Sequence, residues 1–541
     1  MSPMAESGFV RGLFAGRLDS AAIFPYPHQD PEAAETTEAI VASVAEWAAR
    51  AVDPVAIDRA KRIPQEVLDG LRELGLFGLT IPEAHGGAGQ GQVTYARVME
   101  AVAHRCASTV TVLGAQLGIG MKALVLYGTE AQKAHWLPRL ASGERIAAFA
   151  LTEAGAGSDA AALATRAEPQ PDGSWKLTGR KIWITNGGFA NAFTVFARTP
   201  DPARPDARPS EWPISAFWVE RERAGLTTGL PEDKLGLCGS STTEVGLEGV
   251  VVPPEALIGP RGEGFKVALN VLNSGRHGLA ACCIGQARLA RTLAVGHAHE
   301  RVQFGRPIAR FGMVQELLAG MEADLYAMEA ATYLTAGLMD AKKETMLEAA
   351  CCKLFATERL WQVANDALQV TGGTGFMREY PYERILRDAR INLIFEGTNQ
   401  VLRMMIAHQG LRSLARGELA PGAVHLDGVD ARHAAEAQEL ERLVPLFAAR
   451  CRAALERHGE RAREAQFTLH RLSDLVTALF VAGAVLSRAS ASEARGTADE
   501  RERDLARLAC RRAFKDFART LLDEERPDDE LVERVAAASQ P

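Results

Sequence analysis

The stretch "IAAFALTE" (residues 146–153) is where the texture of this chain changes. Before it, from about Thr36 to about Leu140, apolar residues recur at helical spacing, with Gly- and Pro-containing breaks such as "IPEAHGGAGQGQ" (81–92). After it come short β-branched or aromatic runs separated by turns: "WKLTGRKIWITNG", "AFTVFART", "ISAFWVE" and "EVGLEGVVVP". Five or more such segments between 146 and 253 predict an antiparallel barrel or sandwich.

After Gly264 the helical period returns. Val314, Leu317, Leu318, Met321, Leu325 and Met328 fall at helix-face spacing, and long helices continue to about Leu411. The stretch 412–430, with "RGELAPGAVHLDG", reads as a linker. Ala-, Arg- and Glu-rich helices follow to 537, interrupted near Gly459, Gly496 and Pro527. The predicted fold class is α+β, mainly α. Its parts are an irregular N-terminal segment (1–34), an N-terminal helical domain (35–145), a middle β-barrel (146–260), a helical bundle (261–411) and an additional C-terminal helical domain (431–541). The Gly-rich run 81–92 is no dinucleotide fingerprint, because it follows no strand and opens no βαβ unit.

At 541 residues with 47% hydrophobic content, the chain can build several cores, and disorder is excluded as its main state. A net charge of −7 argues against nucleic-acid binding. None of the eight cysteines forms a C-x-x-C pair, so no zinc site is expected. The pairs Cys282–Cys283 and Cys351–Cys352 sit in Ala-rich helical stretches and read as small buried thiols of a reducing compartment. The start, "MSPMAESGFVRGLFAGRLDS", lacks the apolar core of a signal peptide, and no run of about 18 apolar residues suggests a spanning helix. A cytoplasmic, bacterial location is expected, with peripheral membrane association left open.

Four stretches can carry chemistry. "ALTEAGAGSD" (150–159) ends a strand in a Gly/Ser-rich turn, which is either a solvated turn or a surface of N–H groups and hydroxyls for an anion or a flat polar ring. "KIWITNGG" (181–188) holds Trp183, which by itself reads as a core residue. "QVTGGTGFMREYPYERILRDAR" (369–390) places Glu379, Arg384 and Asp388 at helix-like spacing, as a fixing network or as surface ion pairs. "LIFEGTNQV" (393–401) puts Glu396 after Leu393, Ile394 and Phe395, which read as buried, and before Gly397, Thr398 and Asn399, which open a helix. That acid is either a helix-terminal carboxylate or a base in a dry pocket.

Together these stretches closely resemble the signatures of the acyl-CoA dehydrogenase flavoproteins, from about residue 8 to 411. "ALTEAGAGSD" fits one signature, Gln369 to Asp388 fits the other, and "FEGTNQVLR" looks like the catalytic turn. "SGFVRGLFAGRLDSAAIFPYP", "LNSGRHGLAA" and the extra C-terminal helices are similar to the very-long-chain branch of that family. The resemblance implies FAD as cofactor and α,β-dehydrogenation of a long-chain fatty acyl-CoA to the trans-2-enoyl-CoA in fatty acid β-oxidation. Glu396 then takes the α-proton while a hydride passes to flavin N5, and electrons go on to electron-transfer flavoprotein. Desolvation by Phe395 and substrate is expected to raise the pKa of Glu396, and its backbone N–H to polarise the thioester carbonyl.

The resemblance further assigns Phe149, Leu151, Thr152, Gly157, Ser158, Trp183, Ile184 and Thr185 to the flavin. In that family the flavin straddles a homodimer interface. Arg301, Phe304, Gln315, Gln369, Gly372 and Gly373 are thereby implied to reach the neighbouring subunit's FAD, Arg301 through its fork onto pyrophosphate. Thr398, Asn399 and Gln400 are implied at the adenine-side half of FAD. Ser158, Asn273, Arg276, Phe395 and Gly397 are implied at the acyl-CoA. No metal is implied. In "VTVLGAQLGIG" (110–120), Gly114, Gly118 and Gly120 are expected to leave room for the acyl chain, with Val110 at a position where the branch often has glycine. Two other classes share the architecture: an oxygen-using acyl-CoA oxidase, and a binding role in respiratory-complex assembly.

Overall fold

The computed structural model describes residues 8–525 and 527–539. The first seven residues of the N-terminal segment, on which part of the signal-peptide reading falls, lie outside the described residues, as do Arg526 and the last two. The chain forms two compact units, each discontinuous in sequence. One comprises Pro31–Ala290 with Thr371–Glu396, and the other the flanking segments, Arg291–Val370 and the chain from Gly397 on.

The first unit opens with helices, the longest being Pro31–Ala51 and Gln92–Arg105. Their apolar faces bury Val44, Trp47, Tyr95, Val98 and Met99. Strands follow: β1 (Ala147–Ala150), β2 (Arg166–Pro169), β3 (Trp175–Thr185), β4 (Ala192–Arg198), β5 (Ile214–Glu220), β6 (Leu226–Thr228), β7 (Thr242–Val252) and β8 (Leu257–Ile258). They form one eight-stranded sheet in the order β6-β7-β3-β2-β4-β5-β8, with β1 also against β4. Phe193, Val195, Phe217, Val219, Val245, Leu247 and Val250 fill its core.

The expected antiparallel barrel or sandwich is met by this β middle domain with one correction: β1 and β2 both pair with β4 in parallel. Among the described residues the ladder ends at β6 and β8. Sequence runs show where strands are but not how they pair, because every residue of β4 and β5 but the last is buried and gives no alternation to read. β3 carries a register shift between Lys181 and Ile184 against β7. Trp183 sits in that irregularity with φ +57°. A bulge of this kind re-aims a side chain, and Trp183 is 62% exposed, contrary to a core reading.

The second unit is helical. Gln466–Ala494 is its central helix, and it packs against Gly312–Asp340, Asn399–Ala415, Ala434–His458 and Glu500–Glu525. The additional C-terminal helices therefore share one unit with most of the predicted bundle. Partly buried ion pairs tie the helices: Arg512 to Asp324 at 2.8 Å, Arg403 to Asp474 at 2.7 Å and Arg488 to Glu329 at 2.7 Å. The N-terminal segment is not wholly irregular. It forms helices Phe9–Phe14 and Ser20–Ile23, and Phe14 meets Phe447 edge-on at 5.0 Å. The predicted linker also packs, since Leu419 and Leu426 are buried and Leu18 N–H donates to the Ala423 carbonyl at 2.9 Å.

By length and composition Ala107–Tyr127 and Gln466–Ala494 could cross a membrane, which the residue-run reading missed. Most of each is buried, as core helices are. None of the eight cysteines forms a disulfide.

Candidate active site

Glu396 ends the first unit. Its backbone is left-handed, φ +59°, a conformation that costs an ordinary side chain about 1–2 kcal/mol. Such strain persists where the surroundings over-determine it, and it clusters at functional sites. The three residues before it are not a buried run: Leu393 and Phe395 are half-buried and Ile394 is 45% exposed. A 3₁₀ turn spans Ile391–Leu393, so the apolar side chains fan out instead of sharing one buried face.

The carboxylate borders a pocket lined by Tyr95, Val110, Ile119, Leu237, Leu279 and Phe395, with Thr185 and Asn392 among its few polar members. The pocket is mostly apolar and partly open to solvent, the character expected of a small-molecule site. One wall is the helix Gly264–Glu300. A Cβ on Gly275 would stand 3.7 Å from Glu396 Oε2 and 3.3 Å from Ile119 Cγ2, and one on Gly278 would strike the Tyr95 ring at 2.6 Å. Small residues there let the Glu396 carboxylate and the opposite wall come close.

The opposite wall is an interrupted helix. Ala107–Leu113 runs into a π-helical turn, Gly114–Gly120, and then Lys122–Tyr127. π-Helical insertions widen a helix locally and recur at functional sites. Val110, Thr111, Gly114, Ala115 and Ile119 from this segment line the pocket. Gly120 does not make room for a ligand, contrary to expectation. Its Cβ would lie 2.7 Å from the carbonyls of Ala115 and Ala147, so it is glycine to let the helix approach β1.

The 369–390 motif supports this pocket. Asp388 is buried and accepts from Leu237 N–H at 2.6 Å, holding the pocket-lining Leu237 at φ +48°. Burial pushes the Asp388 carboxyl up to about 6. Asn392 donates to the Ala389 carbonyl at 3.1 Å. The clamp pairs Arg387 with Asp58 at 2.9 Å and with Glu383 at 2.7 Å. Arg387, not Glu379, is therefore the partner missed in the sequence, and Glu379 is exposed.

Near the bulge, Lys181 is fully buried and donates to Glu153 Oε1 at 2.7 Å and to the Leu151 carbonyl at 3.1 Å. Glu153 also accepts from Thr165 N–H at 3.0 Å, Thr165 Oγ1 at 2.5 Å and Ala164 N–H at 2.6 Å. Burial works to raise the Glu153 carboxyl, but the Lys181 charge and these hydrogen bonds hold it below the ordinary value. Burial pulls Lys181 down to about 8 against the attraction of Glu153. Ile182 N–H donates to the Thr152 carbonyl at 3.0 Å. The turn carrying Leu151 and Thr152 is thus pinned from both sides. Beyond it Gly157 and Ser158 are exposed, and a Cβ on Gly155 or Gly157 would meet nothing within 4 Å. Phe149 and Ile184 are buried. An exposed Trp held out by a bulge, with Thr185 half-buried two residues on and a rigid turn bonded to the same strand, suits a flat ring system.

Arg276 is almost wholly buried on the Gly264–Glu300 helix and donates to Asn273 Oδ1 at 2.5 Å. Burial lowers it to about 10, while the Glu396 charge pulls the other way. It therefore faces the carboxylate's field as well as Asn273.

In the second unit Arg301, Gln315 and Gln369 are exposed. Phe304 is 93% exposed at φ +49°. Gly372 and Gly373, which belong to the first unit, are exposed too. Thr398 caps Asn399–Ala415, its Oγ1 accepting from Val401 N–H at 3.2 Å. Asn399 is buried against Lys353, which donates to its Oδ1 at 2.8 Å and to the Gly397 carbonyl at 2.9 Å. Lys353 and Asn399 therefore fix the turn at Gly397, and Gln400 is exposed.

Known proteins match this arrangement along most of the chain. The models "Acyl-CoA dehydrogenase, N-terminal domain", "middle domain" and "C-terminal domain" match residues 34–144, 148–250 and 262–411. The model "ACAD9/ACADV, C-terminal domain" matches 432–539. The very long-chain specific acyl-CoA dehydrogenase of Rattus norvegicus mitochondria is 40% identical over 526 residues, covering 91% of this chain and 80% of the relative. The human mitochondrial short-chain specific enzyme is 37% identical over 388 residues, 71% of this chain and 92% of that one. The crystal structure of an acyl-CoA dehydrogenase complexed with FAD from Bacillus anthracis superposes with TM-score 0.85 at 30% identity, covering 95% of this chain and 91% of that one. With its three core domains and its C-terminal extension all matched, this chain belongs to the acyl-CoA dehydrogenase family.

Proposed function

We propose that this protein is an FAD-dependent acyl-CoA dehydrogenase that converts long-chain fatty acyl-CoA to trans-2-enoyl-CoA, with Glu396 as the base, and passes electrons to electron-transfer flavoprotein. The observation that carries the reading is the strained Glu396, whose carboxylate borders an apolar pocket beside Gly275. The α-C–H of a thioester is a weak acid, so the base must be held at the carbon in a pocket that excludes water. Tyr95, Ile119, Leu279 and Phe395 supply the apolar walls.

FAD bound in this site supplies the two-electron acceptor. Leu151, Thr152, Gly157, Ser158, Trp183 and Thr185 would hold it, on a turn made rigid by the Glu153–Lys181 pair. The FAD-complexed relative supports this assignment. In a homodimer, the exposed Arg301, Phe304, Gln315 and Gln369, with Gly372 and Gly373, would meet the second copy's flavin. The free cysteines favour a reducing, cytoplasmic setting.

Anaerobic titration with acyl-CoAs of graded length tests the reading. The flavin is expected to bleach with long-chain substrates, and the Glu396→Gln variant to lose bleaching by at least ~10²-fold while still binding substrate. Parent-like bleaching in that variant would remove Glu396 as the base. Stoichiometric peroxide release in air would replace electron-transfer flavoprotein with oxygen.

A further inference from the structure

The helix Gly264–Glu300 presents Gly275, Gly278, Leu279, Cys282 and Gln286 to the pocket. These positions recur at the spacing of a single helix face. The first stands beside Glu396 Oε2, and the last lies about 16 Å further along at ~1.5 Å rise per residue. Gln286 has a second surface. It also lines a separate chamber where Asp58, Arg105, Arg384 and Asp388 stand among apolar residues such as Leu289 and Ile385. One side chain is thus shared by an apolar pocket and a chamber that holds four charged groups.

The chamber is unsuited to an alkyl tip. Gln286 is 5% exposed and Arg384 8% exposed. Gln286 Oε1 and Arg384 Nη1 are both buried with no hydrogen-bond partner among the described residues. Gln286 Nε2 reaches only the Cys282 carbonyl, at 3.4 Å. A methylene pushed against an orphan acceptor and an orphan cationic donor satisfies neither, which makes its burial there costly.

We propose that Gln286 is the specificity-determining stop of the acyl pocket, setting a ceiling of about 14–16 carbons. The length follows from the helix: a staggered chain advances ~1.25 Å per carbon, so about 13 carbons span the distance from the α-carbon to Gln286. The inference rests on the reading that the thioester α-carbon lies at Glu396.

The test is kcat/KM for saturated acyl-CoAs from C8 to C20, with flavin content per chain as the check on folding. The parent protein is expected to fall at least tenfold between C16 and C20. Gln286→Ala removes the side chain beyond Cβ and should move that break about two carbons longer; Gln286→Thr should move it less. Gln286→Leu keeps the bulk and should keep the break. A parent protein that uses C20 as well as C14 overturns the proposal without any variant, and so does an unmoved break in folded Gln286→Ala. If no acyl-CoA of any length bleaches the parent flavin, the dehydrogenase reading itself has failed. If all lengths bleach it equally, only the stop has.

Discussion

Replacing Lys181 with Met should destabilise the first unit more than any surface change, and the size of the effect can be worked from its contacts. Lys181 is fully buried and makes two hydrogen bonds, one of them an ion pair with Glu153. Removing one partner of such a pair costs about 3–5 kcal/mol, because the other charge stays buried without compensation. Here Glu153 keeps three donors, from Ala164 N–H and from the N–H and hydroxyl of Thr165. That argues for the low end, about 3 kcal/mol. At roughly 2 °C per kcal/mol for a domain this large, the melting point should drop about 6 °C. Adding Glu153→Gln removes the stranded charge and keeps an oxygen for the two Thr165 donors, while its NH2 replaces the oxygen that accepts from Ala164 N–H. The double variant should therefore recover only part of the loss, to within about 2 kcal/mol of the parent. Urea unfolding of the parent, both single variants and the double variant measures the cycle. If the double variant is as unstable as Lys181→Met alone, the cost lies in packing and the electrostatic argument is wrong. Flavin content in the same samples reports whether the pinned 151–158 turn is needed to hold the cofactor.

Three further outcomes are expected. Gly275→Ala puts a methyl 3.3 Å from Ile119 and 3.7 Å from the Glu396 carboxylate, so kcat/KM should fall roughly tenfold while stability changes by less than about 1 kcal/mol, read by steady-state kinetics and urea unfolding. Glu348 is buried, accepts from Val10 N–H at 2.9 Å, and is pushed by burial to about 7 from 4.5. A carboxyl raised in the folded state binds more protons folded than unfolded, so its contribution is full at low pH and is lost as pH rises from about 4.5 to 7. Glu348→Gln should therefore gain on the parent by up to ~3 kcal/mol between pH 4.5 and 8, and equal urea midpoints at both pH values would rule this out. Glu396→Gly should be inactive yet more stable than Glu396→Gln by about 0.5–1 kcal/mol, since glycine relieves the left-handed strain at some entropic cost. Equal unfolding midpoints for those two variants would mean that residue 396 stores none.

Much of this was legible in the residues because local pattern and tertiary role coincide. The run Val314 to Met328 reads as a helix face and lies within Gly312–Asp340, where packing and period agree. The helix–β–helix order reads equally well, because β3, β4 and β5 are rich in β-branched and aromatic residues. What stayed hidden depends on partners distant in sequence. Lys181 falls in phase with the buried Trp175 and Leu177 of β3, but a lysine there reads as a solvated side chain until the distant Glu153 is seen to pair with it. The pocket wall at Gly275, Gly278 and Cys282 looks like ordinary Ala-rich helix, although small residues at one helical spacing were a usable signal. Pairing direction at β1 and β2, and the inclusion of the C-terminal helices in one unit with the bundle, are set by long-range contacts that periodicity does not encode.

The same physical device appears at both ends of the proposed chemistry. Trp183 and Glu396 are non-glycine residues held left-handed, one at a register shift within β3 and the other just after a 3₁₀ turn. A bulge turns Trp183 out of β3, and a 3₁₀ turn lifts Glu396 away from the path its helix would take. In each case the departure is over-determined by neighbours: the Lys181–Glu153 pair fixes the strand before the tryptophan, and Asp388 with Asn392 fixes the chain before the glutamate. Regular secondary structure would bury both side chains in the packing of their own element. Irregularity backed by buried polar anchors instead delivers a flat aromatic to one surface and a carboxylate to a pocket, with little freedom to drift. The anchors are therefore the residues whose loss should separate stability from activity least, and the strained residues those whose loss should separate them most.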